Sequence, residues 1–172
     1  KSKIINSLKS GLTGEVIVPG DKSITHRALI FAALSNGKSK INNGLVSDDT
    51  VATIDAFRAM GVAIDLLEGV WELTGRGLHG LHSPLKPLSM KNSGTSIRLL
   101  AGVLSAQLFD SQLVCDEQLQ KRPMDRIMIP LMKMGAIIDS QLGFPPLFIK
   151  GHREKLIPIH YRLPVPSAQI KS

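Results

Sequence analysis

The sequence predicts an α/β protein assembled from repeated strand–helix–strand–helix–strand–strand units, and three observations carry that prediction. Short runs rich in Val and Ile alternate with longer segments of helical period. The order recurs. "KSITHRALIFAAL" from Lys22 and "SGTSIRLLAGVL" from Ser93 align at a shift of 71, which sets Arg27 on Arg98, Leu29 on Leu100 and Ser23 on Gly94. A second pair, "RAMGVAID" (58–65) and "MKMGAIID" (132–139), aligns at a shift of 74. Adding 74 to Ser93 lands on Ser167, where "SAQIKS" begins. The chain therefore holds two copies of a unit of roughly 70 residues and the opening of a third, packed around a shared core.

The elements of the first copy follow from local signals. "EVIV" (15–18) reads as a strand, stopped by Pro19-Gly20. A helix is expected from about Lys22 to Leu34 and a short strand at "SKIN" (39–42). "SDDTVATIDAFRAMG" opens with Ser47 and Asp48 as capping candidates and closes at Gly61, a good helix stop. "VAIDLL" and "VWELTG" read as two strands around a Glu68-Gly69 turn. Ser172 stands inside a predicted helix start with nothing to bury its apolar face, so the expectation is that this chain is a fragment.

Composition narrows the function class. A hydrophobic share of 43% and a charged share of 20% are those of a globular protein. No apolar run reaches the ~18 residues of a membrane span. "KSKIINSLKS" at the start lacks the apolar segment of a secretory signal. The single cysteine, Cys115, permits neither an internal disulfide nor a cysteine-rich zinc site, and a cytoplasmic protein is the default. No His or Cys spacing suits a metal. The net charge of +7 favours anionic partners. Aromatics at 4% and scattered basic residues argue against nucleic acid.

The repeat sets three small-residue helix starts in equivalent places: Asp21-Lys22-Ser23, Asn92-Ser93-Gly94-Thr95-Ser96 and Ser167-Ala168-Gln169. A helix start presents unpaired N–H groups and about half a positive charge, and so attracts anions. Lys22, Arg27, Arg98 and Arg122 add side-chain cations. At any single start, plain capping by Ser, Thr or Asn is the simpler reading. Three in register, each joined by basic residues, point to a ligand with more than one acidic group. That ligand would also explain why cations oppose the helix dipole at "DKSITHR". His26 in that stretch reads as packing or a hydrogen bond to the backbone.

"PGDKSITHRALIFAALS", "NSGTSIRLLAG", "KRPMDRIMIPLMKMGA" and "PIHYRLPVPSAQIKS" together closely resemble the 5-enolpyruvylshikimate-3-phosphate (EPSP) synthase family, the 3-phosphoshikimate 1-carboxyvinyltransferases. The resemblance covers essentially the whole chain, in order. It implies an inside-out α/β barrel-like domain of βαβαββ units, within a two-domain enolpyruvyl transferase. Residues 1–19 would be a crossover segment that normally pairs with the second domain. Residues 20–172 would be an incomplete N-terminal domain of about two and a half repeats, with the second domain absent from this chain. The implied reaction moves the enolpyruvyl group of phosphoenolpyruvate onto the 5-hydroxyl of shikimate 3-phosphate and releases phosphate, a step toward chorismate and the aromatic amino acids. No cofactor or metal, no nucleic acid or membrane partner, and a monomer at full length are implied. Glyphosate competes at the phosphoenolpyruvate site of this family, and Gly94 is compatible with sensitivity to it.

Residue by residue, the resemblance makes Lys22 the lysine that touches both substrates and assists the chemistry. Ser23, Arg27, Ser167, Ala168 and Gln169 match the shikimate 3-phosphate side, with Arg27 on the carboxylate. Asn92, Gly94, Arg122 and Gln169 match the phosphoenolpyruvate side. Thr95 and Arg98 match supporting residues, and Asp48 and Asp49 a helix N-cap and a partner for the cations. The family's main proton-transfer carboxylates belong to the second domain, so this chain alone is expected to be inactive. Two alternatives stand beside this reading. One is a UDP-N-acetylglucosamine enolpyruvyl transferase-like enzyme, which carries a reactive cysteine before an Arg-Pro pair. Here Cys115 stands seven residues before Arg122 and reads as a strand-end residue without a catalytic role. The other is a non-catalytic polyanion-binding module.

Overall fold

The computed structural model describes residues 11, 13–151, 155–164 and 166–172. Helix α1 (Lys22–Leu34) begins where Asp21 caps it, its Oδ1 accepting from the Ile24 amide at 2.8 Å. Its inner face buries Thr25, His26, Leu29, Ile30, Ala32 and Ala33. Its outer face leaves Ile24 and Phe31 exposed, each at 70%, so α1 is less enclosed than its apolar composition suggests. Strand β1 (Asn36–Ile41) starts three residues earlier than "SKIN" predicts. Helix α2 (Asp48–Ala59) is capped by Ser47 in a reciprocal box with Thr50. Asp48 is therefore the first helical residue rather than the cap, and it is exposed. The hydroxyl at Ser47 accepts the orphan amide that a carboxylate at position 48 is one residue too late to reach.

Strands β2 (Ala63–Leu67) and β3 (Val70–Arg76) form the expected hairpin, with Glu68 and Gly69 both at positive φ, 48° and 81°. Two positive values are what a tight two-residue hairpin turn requires. The strand order is β1-β3-β2, antiparallel throughout.

The second copy repeats this plan. Strand β4 (Leu88–Ser89) leads to helix α3 (Gly94–Ser105) and strand β5 (Ser111–Val114). Helices α4 (Glu117–Gln120) and α5 (Asp125–Lys133) follow, then strands β6 (Ile138–Gln141) and β7 (Phe144–Ile149). The sheet order is β4-β5-β7-β6, which is the first sheet's order with one parallel strand added. A last turn, α6 (Ala168–Lys171), starts at Ser167 as the repeat predicts.

The Glu15–Val18 strand does not form. Its counterpart at the shift of 71 is β4, where Leu88 is 3% exposed, whereas Ile17 is 93% exposed. A strand exists only through its ladder, and no described strand pairs with 15–18. The apolar pattern of "EVIV" alone predicts a strand, whereas the family resemblance implies that residues 1–19 lack their usual neighbours here.

Helices α1, α2 and α3 touch one another, and the sheets lie against them. Phe57 and Ile54 of α2, Leu29 of α1 and Ile97, Leu100 and Leu104 of α3 are at most 1% exposed. Trp71 and Leu73 of β3 turn inward, while Glu72 and Thr74 between and beyond them are more exposed, the alternation of a sheet with one solvated face. Truncation in this core leaves a cavity that the packed helices cannot fill. Phe57→Ala is expected to cost about 3–5 kcal/mol in urea unfolding. Leu142→Ala, at a position 95% exposed, is expected to change stability by less than about 0.5 kcal/mol.

Candidate anion site at the helix starts

The Pro19-Gly20 turn places the first helix start. A Cβ on Gly20 would collide with the backbone carbonyl of Asn43, so the chain passes this point only as glycine. The next turn is fastened as well. Thr25 Oγ1 donates to the Asp21 carbonyl at 2.8 Å and accepts from the Leu45 amide at 2.9 Å. These contacts bring Lys22 to the start of α2, where its Nζ meets Asp49 Oδ2 at 2.7 Å. Both side chains are part-exposed, at 48% and 27%, so the pair is worth at most about 1 kcal/mol and is easily exchanged for a ligand.

The second start is held to the first through buried hydroxyls. Ser93 caps α3, its Oγ accepting from the Ser96 amide at 3.1 Å. Ser96 Oγ lies 2.7 Å from Ser93 Oγ, 2.8 Å from Thr53 Oγ1 and 3.1 Å from the Asp49 carbonyl. Thr53 in turn meets His26 Nδ1 at 2.8 Å. His26 thus bonds a side-chain hydroxyl rather than the backbone, because α1 and α2 pack closely enough to set the ring on Thr53. His26, Thr53, Ser93 and Ser96 are all 0% exposed. Burial is the main cause that holds the His26 pKa below its ordinary value, with Lys22 and Arg27 adding to it and Asp49 opposing.

Around Gly94 the charge is all of one sign. A Cβ there would meet Arg98 Nη1 at 2.9 Å and Arg122 Nη1 at 3.6 Å. Arg98 Nη1 donates to the Gly94 carbonyl at 3.0 Å, while its buried Nε has no partner among the described residues. Burial lowers the Arg98 pKa, and Arg126 and Arg122 lower it further. Arg126 is a cation that the sequence reading passed over. It is the second residue of α5, whereas Arg122 stands before that helix, so no helical spacing in the sequence marks the pair.

The third start reaches the second through Gln169, whose Nε2 donates to Thr95 Oγ1 at 3.2 Å. Arg27 donates to the Ser23 carbonyl at 3.1 Å and to the Ser172 hydroxyl. Asn92 Nδ2 reaches Asp116 Oδ2 at 3.3 Å. Lys22 is thus bonded to Asp49, Asp49 to Ser96, Arg98 to Gly94 and Gln169 to Thr95, and Arg122 stands near Gly94. Ser23 contributes a carbonyl to Arg27, and Ser167 and Ala168 stand at the α6 start. Asp48 is exposed and makes no side-chain hydrogen bond or ion pair among the described residues. Cys115, at the end of β5, is buried, and desolvation followed by Asp116 raises its thiol pKa. Among the described residues no group of His, Cys, Asp and Glu could hold a metal, and no helix is long and apolar enough to cross a membrane.

Comparison with known proteins gives a consistent result. Residues 7–172 match the family described as EPSP synthase (3-phosphoshikimate 1-carboxyvinyltransferase). The chain is 50% identical over 171 residues to a 3-phosphoshikimate 1-carboxyvinyltransferase of Ruthia magnifica subsp. Calyptogena magnifica, covering 99% of this chain and 39% of that protein. It is 53% identical over 163 residues to the enzyme of the same name from Streptococcus equi subsp. zooepidemicus, covering 94% of this chain and 38% of the other. Among solved structures, an EPSP synthase from Acinetobacter baumannii superposes with a TM-score of 0.87 at 47% identity, over 92% of this chain and 36% of that one. The chain thus spans about two fifths of the length of these relatives.

Two outcomes follow from the site's electrostatics. The unfolded chain takes up a proton at His26 near its ordinary value of about 6.5, whereas the folded chain resists it. The His26 contribution to stability is therefore complete above that value and falls as pH drops from there toward the lower folded pKa. Urea unfolding at pH 7.5 and pH 5 should show this loss, and His26→Asn should remove the part of it that His26 causes. The Cys115 thiol should react slowly with iodoacetamide at pH 8 in the folded chain and rapidly in denaturant.

Proposed function

The chain belongs to the EPSP synthase family, and on that premise we propose that its three helix starts form the shikimate 3-phosphate side and part of the phosphoenolpyruvate side of an enolpyruvyl transfer site. The observation that supports this reading is the excess of cations at the helix starts: Lys22 bonded to Asp49, which bonds Ser96 of α3, with Arg98 and Arg122 both close to Gly94. A substrate that bears both a carboxylate and a phosphate needs separate cations to grip each, and arginine does so with a bidentate fork.

In this reading Arg27 holds the shikimate carboxylate, and Ser23, Ser167, Ala168 and Gln169 the sugar-like ring and its phosphate. Arg122, Asn92 and the backbone at Gly94 hold phosphoenolpyruvate. Lys22 faces both substrates once it leaves Asp49. The 5-hydroxyl oxygen attacks C2 of the enol as its proton is removed, and C3 accepts a proton. The tetrahedral adduct then expels phosphate while C3 gives up a proton, which restores the C2–C3 double bond in the enolpyruvyl ether. Lys22 and Arg122 stabilise the charge that shifts onto the leaving phosphate. The proton transfers need acid–base groups within hydrogen-bond reach of O5 and C3. We assign none of them to this chain, so it is expected to bind without turnover. Its natural setting is then the cytoplasm and its partners two small anionic metabolites. The buried, high-pKa Cys115 disfavours the sister transferase reading, which needs a reactive thiolate.

Calorimetric titration of the 172-residue chain with shikimate 3-phosphate, beside unphosphorylated shikimate, tests the reading. Saturable binding of the phosphate ester is expected, weakened roughly tenfold or more by Arg27→Ala, as the loss of a charge-assisted hydrogen bond predicts. Equal weak binding of any polyanion, with a steep salt dependence, would instead mark a general polyanion surface.

A further inference from the structure

The polar chain beneath the site has a direction, and the direction can be worked out by counting donors. The Asp49 carbonyl can only accept, so the Ser96 hydroxyl proton points to it over 3.1 Å. Ser96 Oγ is also the donor toward Ser93 Oγ at 2.7 Å, so these two acceptors share its one proton, and the Thr53 hydroxyl at 2.8 Å must donate to Ser96. Ser93 Oγ still accepts the Ser96 amide, so its cap is intact. With its own proton committed to Ser96, Thr53 Oγ1 has only lone pairs to offer His26. The ring therefore donates from Nδ1, and His26 is the Nδ1–H tautomer with a bare Nε2. His26 Nε2, buried with no partner among the described residues, is then an unpartnered acceptor. This arrangement gives every contact in the cluster a donor and an acceptor, and the tautomer follows from it.

What the chain fixes is the geometry of the site above it. His26 lies one turn after Lys22, and Thr53 one turn after Asp49, so the buried contact between them sets the separation of the two helix starts that carry the Lys22–Asp49 pair. Ser96 and Ser93 extend the same hold to the start of α3, where Gly94 and Thr95 stand. We infer that His26 is a positioning residue, which acts through Thr53 and Ser96 to hold the starts of α1, α2 and α3 at the spacing that a bidentate anionic substrate requires. It touches no substrate itself, and its bare Nε2 takes no part. This inference rests on the shikimate 3-phosphate reading above. It adds a residue that carries no ligand and a specific hydrogen bond, Nδ1–H to Thr53 Oγ1, as the means.

The test uses side chains that keep or remove that one donor. The side-chain amide of Asn sits where Nδ1 does, whereas the longer Gln places its amide nearer Nε2. Thr53→Val keeps the shape of Thr53 without the hydroxyl, and Thr53→Ser keeps the hydroxyl. Affinity for shikimate 3-phosphate is measured by calorimetry well below each variant's melting temperature, which is recorded alongside. His26→Leu, His26→Gln and Thr53→Val should bind roughly tenfold more weakly, and His26→Asn and Thr53→Ser within about twofold of the parent chain. Nitrogen-15 spectra of the His26 ring should show Nδ1 protonated and Nε2 bare near pH 7. If His26→Leu does not fold, the nearly isosteric Thr53→Val decides. Unchanged affinity in Thr53→Val with only a lower melting temperature would reduce the chain to a purely structural role and overturn the inference. So would rescue by Gln rather than Asn, or the opposite tautomer. If the parent chain shows no saturable binding, the substrate reading fails first and this inference falls with it.

Discussion

The 2.8 Å contact between Thr53 and Ser96 is the link on which the rest of the site depends, because it joins the first repeat to the second where neither can shift. Both residues are fully buried. A hydroxyl in that setting that lost its partner would keep its full desolvation cost, of order 1–3 kcal/mol, with nothing to offset it. Helices packed only through apolar side chains can slide by fractions of a turn at little expense, since dispersion is undirected. A hydrogen bond is directional, so it selects one register among those that apolar packing would allow. The apolar residues supply the stability, as Phe57, Leu29 and Leu100 show by their complete burial, and the hydroxyls supply the alignment.

The charges above this layer play a different part. Lys22 and Asp49 are part-exposed, so their attraction is too small to decide where α1 and α2 lie. In the proposed reading, the pair keeps a lysine extended and partnered until an anion replaces the carboxylate. Arg98, Arg122 and Arg126 have no such partner among the described residues, and the lowered pKa of Arg98 records their mutual repulsion and its own burial. The fold carries that repulsion as a cost, in the way that functional sites depart from local stability rules. An anion at this point relieves the cost, which raises its affinity beyond what the new contacts alone would give.

Much of this was legible in the sequence, for definable reasons. The helix starts could be read because capping residues, glycines and cations recur at nearly one spacing, and short-range chemistry fixes each of them. The hairpin at Glu68-Gly69 could be read because its turn needs positive φ. The Glu15–Val18 strand failed because a strand is a property of two segments, and the pattern in one of them says nothing of the other. Asp48 was misplaced as a cap by one residue, within the usual ambiguity of helix ends. The buried chain from His26 to Ser93 escaped notice because its members lie 27, 43 and 3 residues apart and share no motif. Only the crossing of three helices brings them together. Arg126 was missed because it shares no motif with Arg98, and only the fold brings their charges together.

The two repeats are not perfect copies, and the mismatch lies in one place. Their helix starts agree at a shift of 71 and their "MG" segments at 74, so the second copy has gained residues in between. The structure shows where: α1 passes to α2 through a strand and an open loop, whereas α3 passes to α5 through a strand and the extra helix α4. That added turn ends at Lys121 and delivers Arg122 beside Gly94. A duplicated unit starts with identical surfaces, and symmetry alone would give each helix start the same ligand. Breaking the symmetry in a connecting segment leaves the core untouched while making one start different from its twin. On the proposed reading, that difference is what lets two unlike substrates be told apart by a repeated scaffold.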